Sequence, residues 1–189
     1  MIWIDEAGEI RQRYQKLHLF DVEIEHGPVL KESDSVEAGK IILHPFPTSV
    51  GNVGLMICFD LRFPALPARL RDLGAQVLTY PSAFTVATGK VHWEVLLRAR
   101  AIEAQAYVVA AAQVGRHNGK RVSYGHGMIV DPWGKIVVEL GGVEEWDAAG
   151  GGGGEPVIGV GEVDLEGLEK VRREMPLRPR RDVVDVVER

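Results

Sequence analysis

A single cysteine, Cys58, stands in the 189 residues of this chain. One thiol cannot form an intramolecular disulfide, so the cysteine usage suits a reducing compartment. No apolar run is as long as a membrane span. The opening Met1-Ile-Trp-Ile-Asp-Glu has neither the basic start nor the long apolar stretch of a secretory signal. Net charge is −5, and no concentrated basic stripe marks a nucleic-acid surface. Arg178, Arg180 and Arg181 are followed by Asp182 and Asp185 and read as a solvated tail. There is no second cysteine, no His-Glu-x-x-His and no close pairing of histidines, so the ligand clusters of hydrolytic zinc sites are missing. Internal repeats are absent. What remains, with 46% hydrophobic and 26% charged residues, is the balance of a globular domain with a real core.

The pattern along the chain predicts alternating strands and helices. Ile2–Ile4 and Glu9–Tyr14 read as a hairpin over Ala7-Gly8. A chain that opens directly on a strand reads as cut. Residues 21–39 read as one long polar loop, and such loops are usually functional. Ile41–Phe46 and Val53–Ile57 are apolar runs joined by a turn. Pro64 suits the first turn of a helix running to about Asp72, with Gly74 as its stop. Gln76–Tyr80 is the next strand, so residues 53–80 form a strand-helix-strand unit. Val91, Val95, Ala99, Ile102 and Ala106 recur at helical spacing and predict one apolar stripe. Tyr107–Gln113 reads as a central strand. His126–Val130 and Lys135–Leu140 read as a hairpin over Asp131-Pro-Trp-Gly134. Residues 141–156, with Gly150 to Gly154 consecutive, read as a flexible loop. Val157–Val163 is expected to be the last strand, and Asp164 to cap a helix over 165–174.

Cys58 falls where a buried strand gives way to a loop leading into a helix. That junction exposes a nucleophile and gathers backbone N–H groups near the reacting atom. Asp60 and Arg62 follow at once, unlike the apolar flanks of a core cysteine. A thiol of ordinary acidity is only a few per cent thiolate at pH 7, so it needs an activator. Lys16, His18, His92, Glu94 and His126 are candidates. A papain-like Cys–His pair stays open, although no histidine has a context that singles it out. Arg116, Lys120 and Arg121 either recognise a substrate carboxylate or form a solvated basic loop.

Four separated segments match a known family. Tyr14-Gln-Lys16-Leu-His-Leu-Phe-Asp21 resembles the lysine motif of the nitrilase, or carbon–nitrogen hydrolase, superfamily. Gly54-Leu-Met-Ile-Cys58-Phe-Asp-Leu-Arg-Phe-Pro64 resembles its nucleophile motif. His92-Trp-Glu94 with Arg98-Ala-Arg-Ala-Ile-Glu-Ala104 is similar to the helix that follows. Gly115 to Gly134 resembles the deaminated glutathione amidase branch, with the ω-amidases nearby. The resemblance spans residues 1 to about 182, leaving 183–189 as a tail. It implies an α/β fold, a four-layer αββα sandwich incomplete here at its N-terminus, and dimerisation through a helical face.

It further implies a Glu–Lys–Cys triad without metal or organic cofactor. The substrate would be a small-molecule amide, such as a keto-dicarboxylic acid amide of the deaminated glutathione kind, cleaved with water. By position, Cys58 would form a thioester, Lys16 would face the oxyanion with the Phe59 N–H, and Glu94 would be the second carboxylate. Tyr80, Phe84 and Thr85 would wall the pocket. No nucleic-acid or membrane partner is implied. The location would be cytoplasmic, or mitochondrial where a targeting segment precedes the chain. The family's general-base glutamate lies on an earlier strand, and neither Glu6 nor Glu9 fits that role. Losing a positioned base costs about 10²–10⁴-fold, so these 189 residues are expected to be part of an amidase whose full form is active and to show little or no activity alone. The other reading is an inactive binding or oligomerisation module. Val183-Val184 stands where an aromatic ending would support the dimer.

Overall fold

The computed structural model describes residues 1–23, 29–119, 121–148 and 156–178. Strand β1 (Ile2–Ile4) pairs antiparallel with β2 (Ile10–Arg13). Asp5 holds their turn by accepting from the Ala7 and Glu9 N–H groups at 2.9 Å each and from Arg11. These donors hold its carboxyl below the usual range. The expected loop over 21–39 instead contains a hairpin, β3 (Asp21–Glu23) with β4 (Val29–Lys31), and a 3-10 turn at Glu32–Asp34.

The main sheet has six strands. The first four in chain order are β5 (Phe46–Thr48), β6 (Gly51–Leu55), β7 (Val77–Thr79) and β8 (Tyr107–Ala110). β6, β7 and β8 run parallel, linked through helix α1 (Ala65–Asp72) and helix α2 (Val86–Ala104). Both faces of these strands are buried, as crossover connections require. Val53, Leu55, Val77 and Tyr107 face one core; Met56, Leu78, Val108 and Ala110 face the other. This period of two follows from the pleat. The helix side holds Leu66, Leu70, Trp93 and Leu97, and the opposite side takes Tyr14 and Leu168.

After β8 the chain makes a small hairpin, β9 (Val114–Arg116) with β10 (Val122–Tyr124). It then returns to the sheet as β11 (Met128–Val130) and β12 (Ile136–Glu139), giving the order β12-β11-β8-β7-β6-β5. The Asp131 carboxylate accepts from the Trp133 and Lys135 N–H groups at 2.9 Å, which forms the expected turn. Helix α3 (Val143–Ala148) lies where only a loop was expected. Helix α4 (Leu165–Glu174) has the expected bounds, and Asp164 caps it through the Gly167 N–H at 2.8 Å. The glycine run and the tail beyond Arg178 lie outside the described residues.

Two expectations fail for reasons of tertiary packing. The α2 stripe does not face the core: Val91 and Val95 are 65% and 66% exposed, whereas Trp93, Leu97 and Ala101 are buried. Helical spacing identifies an apolar face but not which of two faces finds the sheet. Residues 157–163 are not a strand. Gly159 and Gly161 lie against Val138 and Ile129, while Val157, Ile158 and Val160 are 70–87% exposed. The segment forms no ladder with a described strand, although β12 beside it is an edge of the sheet. Among the described residues no helix is long and apolar enough to cross a membrane.

Candidate active site

The parallel strands deliver three loops to one edge of the sheet, their carboxyl ends, where open α/β sheets commonly build sites. Beyond β6, the Met56 N–H donates to the Thr79 carbonyl and the Cys58 N–H to the Pro81 carbonyl at 3.1 Å. This pins the chain beside the end of β7. Cys58 itself has φ +45°, the left-handed region that residues with a Cβ rarely adopt. Such a conformation costs on the order of 1–3 kcal/mol and makes a sharp elbow. A 3-10 turn, Cys58–Arg62, follows. Cys58 is half-buried and lines a cleft of about 1800 Å³, together with Pro81–Thr85 from the β7 loop and Ala111–Gln113 from the β8 loop.

Asp60 is what fastens this elbow to the rest of the site. It is fully buried. Its Oδ2 accepts from the Tyr14 hydroxyl at 2.8 Å and from the Ile57 N–H at 3.0 Å. Its Oδ1 accepts from the His18 N–H at 3.0 Å and lies 2.9 Å from His18 Nδ1. A carboxylate oxygen facing the ring places the imidazole proton on Nδ1. The ring stacks on Phe63, with centroids 3.6 Å apart. Burial, and then the Asp60 charge, push the Tyr14 phenol far above its ordinary value. Residues 14–18 and 57–60, distant in sequence, thus share one buried acceptor.

That junction sets Lys16 into the cleft. Lys16 is 8% exposed, and its Nζ donates to Glu32 Oε2 at 2.6 Å. The same oxygen accepts from the Phe20 N–H at 2.7 Å, so the carboxylate is held from two sides. Glu32 also lines the cleft. Phe59 packs edge-on against Phe20 and Phe63, with Lys16 Nζ 6.0 Å from its ring centre. Arg62 lies over Phe59 and Phe84, and its guanidinium meets His92 Nδ1 at 3.2 Å. Lys16, Glu32 and Cys58 therefore present an ammonium, a carboxylate and a thiol to one space.

The expected site residues divide. Phe59, Phe84 and Thr85 line the cleft with Cys58 and Lys16. Thr85 also caps α2 by accepting from the Thr88 N–H at 3.3 Å. Tyr80 does not line it: the side chain is fully buried among Met56, Leu78 and Leu97, and its hydroxyl has no hydrogen-bond partner among the described residues. Alternation along the strand end turns Tyr80 to the helix side, and burial drives its phenol well up from the ordinary value. Glu94 is not brought in either. It sits half-exposed on α2, 3.0 Å from Arg98. The carboxylate beside Lys16 is Glu32, which sequence reasoning missed. Its only signal was the length of the polar loop, where nothing separates it from Glu25, Asp34 or Glu37. His18, His92 and His126 are engaged by Asp60, Arg62 and Glu139, and none lines the cleft. Among the described residues no three His, Cys, Asp or Glu side chains group as metal ligands would.

The carbon–nitrogen hydrolase family profile matches residues 1–173. The human deaminated glutathione amidase is 46% identical over 176 residues, which is 93% of this chain and 50% of that protein. The crystal structure of the Caenorhabditis elegans NitFhit protein superposes with a TM-score of 0.78 at 45% identity, covering 93% of this chain and 40% of that one. A mutant amidase from Nesterenkonia sp. AN1, with the acetamide moiety of fluoroacetamide covalently added at its active-site cysteine, gives a TM-score of 0.63 at 29% identity. That match covers 73% of this chain and 49% of the amidase. The chain spans about half the length of these relatives.

Replacing Asp60 tests the junction. Asp60→Ala strands buried donors at about 1–3 kcal/mol each, so the expected loss of unfolding free energy in urea is roughly 3–5 kcal/mol. Asp60→Asn should lose less. A change below about 1 kcal/mol for Asp60→Ala would show that the junction is not structural.

Proposed function

We propose, from the premise that this chain belongs to the carbon–nitrogen hydrolase family, that its cleft cleaves the amide of a small keto-dicarboxylic acid through a thioester on Cys58. Hydrolysis of a carbon–nitrogen bond follows from family membership. The observation that carries the finer reading is the convergence of Cys58, Lys16 and Glu32 on one cleft. In this reading the Cys58 sulfur attacks the amide carbonyl carbon, and the carbonyl electrons move onto oxygen. The Lys16 ammonium, fixed by Glu32, faces that oxyanion with the Phe59 N–H as its companion donor. The oxyanion electrons then re-form the carbonyl, the C–N bond breaks and the amine leaves with the proton given up by the Cys58 thiol. Water adds to the thioester carbon, releasing the acid and restoring the thiol. Glu32 is a positioning residue here. The name of the human relative supports deaminated glutathione as the type of substrate, and the adduct on the Nesterenkonia amidase supports a cysteine as the reacting group.

The same reading expects slow turnover from these residues alone. Glu32 is the one carboxylate lining the cleft among the described residues, and Lys16 and the Phe20 N–H already engage it. That engagement also favours the alternative of an inactive binding module. A homodimer through a helical face belongs to the proposal as well, with Val91, Val95 and Ile102 exposed on the outer face of α2 as its support.

Iodoacetamide should alkylate Cys58, a competing keto-acid amide should slow that labelling in a saturable way, and Cys58→Ala should take up none. Labelling that the amide does not slow would refute the thioester reading. Turnover of a keto-acid amide by these 189 residues should lie about 10²-fold or more below that of a complete family amidase; comparable rates would remove the need for a further base. In sedimentation velocity, Val95→Glu should shift the chain to monomer, and an unchanged distribution would exclude the α2 face as the contact.

A further inference from the structure

Lys16 is held by two separate stretches of chain. The Asp60 carboxylate takes its neighbours, Tyr14 through the hydroxyl and His18 through the N–H. On the other side, residues 32–39 return and close along residues 15–21. The Glu32 N–H donates to the Phe20 carbonyl at 3.3 Å, and the Phe20 N–H donates to Glu32 Oε2 at 2.7 Å. The Ser33 N–H donates to Asp21 Oδ1 at 3.0 Å. The Ser35 and Val36 N–H groups turn back onto the Glu32 carbonyl at 3.0 Å each. At the end of this segment the Gly39 N–H donates to the carbonyl of Lys16 itself at 2.8 Å.

A side chain at position 39 would prevent that closure. A Cβ there would run into the Gln15 carbonyl oxygen and meet the Gln15 carbonyl carbon and Cβ at 3.0 Å. The first obstacle is backbone, which cannot swing aside as the end of a flexible side chain can. It belongs to the peptide that carries the Lys16 nitrogen, so relieving the clash displaces Lys16. Glycine is required here by close approach and not by a left-handed backbone. A lysine stem is long and rotates freely. Glu32 fixes its tip at 2.6 Å, and Gly39 fixes its root. With both ends held, the ammonium has one place in the cleft wall.

We propose that Gly39 is a positioning residue for Lys16. Its bare Cα lets the 32–39 segment close on the Gln15–Lys16 peptide, and its N–H fixes the Lys16 main chain while Glu32 fixes the ammonium. The role rests on the reading of Lys16 as the group that faces the oxyanion.

The test is trace acetylation with acetic anhydride on the folded chain, resolved by peptide mass spectrometry, with the exposed Lys135 as reference. Lys16 should react more slowly than Lys135. Gly39→Ala should raise the Lys16-to-Lys135 ratio by about tenfold, the lower end for losing one hydrogen bond to a charged group. Glu32→Gln should raise it comparably. In the double variant the two effects should fall well short of multiplying, because both release the same ammonium. Val130→Ala, a substitution in the helix-side core, controls for lowered stability and should leave the ratio unchanged. Should Gly39→Ala not fold, amide hydrogen exchange on the unaltered chain decides: the Gly39 N–H should exchange at least about tenfold below the rate of an open peptide. An unchanged ratio in folded Gly39→Ala, full multiplication in the double variant, an equal rise in Val130→Ala or unprotected exchange at Gly39 would each overturn the proposal. Failure of Cys58 to alkylate, measured in parallel, would instead strike the thioester reading and leave the placing of Lys16 intact.

Discussion

The carboxylate of Asp60 joins three stretches of chain that have no other reason to meet. Tyr14 ends the first hairpin, His18 follows Lys16 by two residues, and Ile57 precedes the Cys58 elbow. A buried acceptor must be satisfied or its burial is costly. Four donors meet that need only when residues 14–18 lie against residues 57–60. The left-handed backbone at Cys58 persists on the same terms, since the strain of an unfavourable φ is tolerated where the surroundings over-determine it. Lys16 then enters the cleft as a consequence, two residues after Tyr14 and two before His18.

Glu32 turns this placement into a defined ammonium position. A buried lysine without a counter-ion would tend to neutralise. With Glu32 Oε2 at 2.6 Å, the ion pair is matched within the cleft wall. The cost is that the carboxylate is already engaged. The cleft's other cations differ in this respect: Lys31 lies near Asp34, while Arg62 and Arg121 line the cleft with no carboxylate partner among the described residues. Aromatic faces from Phe59 and Phe84 orient Arg62 without cancelling its charge.

The order of strands and helices was largely legible, because apolar period and capping chemistry are local. Asp164 announced α4, Pro64 announced α1, and the Asp131–Gly134 turn announced β11 and β12. Motif resemblance named Cys58 and Lys16 and the αββα sandwich type, which the superposition on the NitFhit protein supports. It misdirected the second carboxylate. Glu94 had a motif-like setting, but its helix turns it toward Arg98 and away from the cleft. Tyr80 followed a strand and had a pocket-like neighbourhood in sequence, but the pleat sent it to the core. The α2 stripe and the 157–163 segment erred alike. Each is apolar, and apolarity predicts burial only where a partner surface exists.

The sequence by itself determined where the lone cysteine would sit, at the end of the β6 run before Pro64, and which family the chain belongs to. Short-range physics suffices for that, since strand, elbow and helix are all specified within about a dozen residues. Only the tertiary structure decided which charged groups surround it. Glu32 meets Lys16 because the 21–39 segment folds into its own hairpin and 3-10 turn instead of trailing as a loop. Arg121 reaches the cleft because the β9–β10 hairpin is seated on Phe84 and Gly89. Contacts across such separations depend on how the chain packs, and that is not encoded in the spacing of either residue.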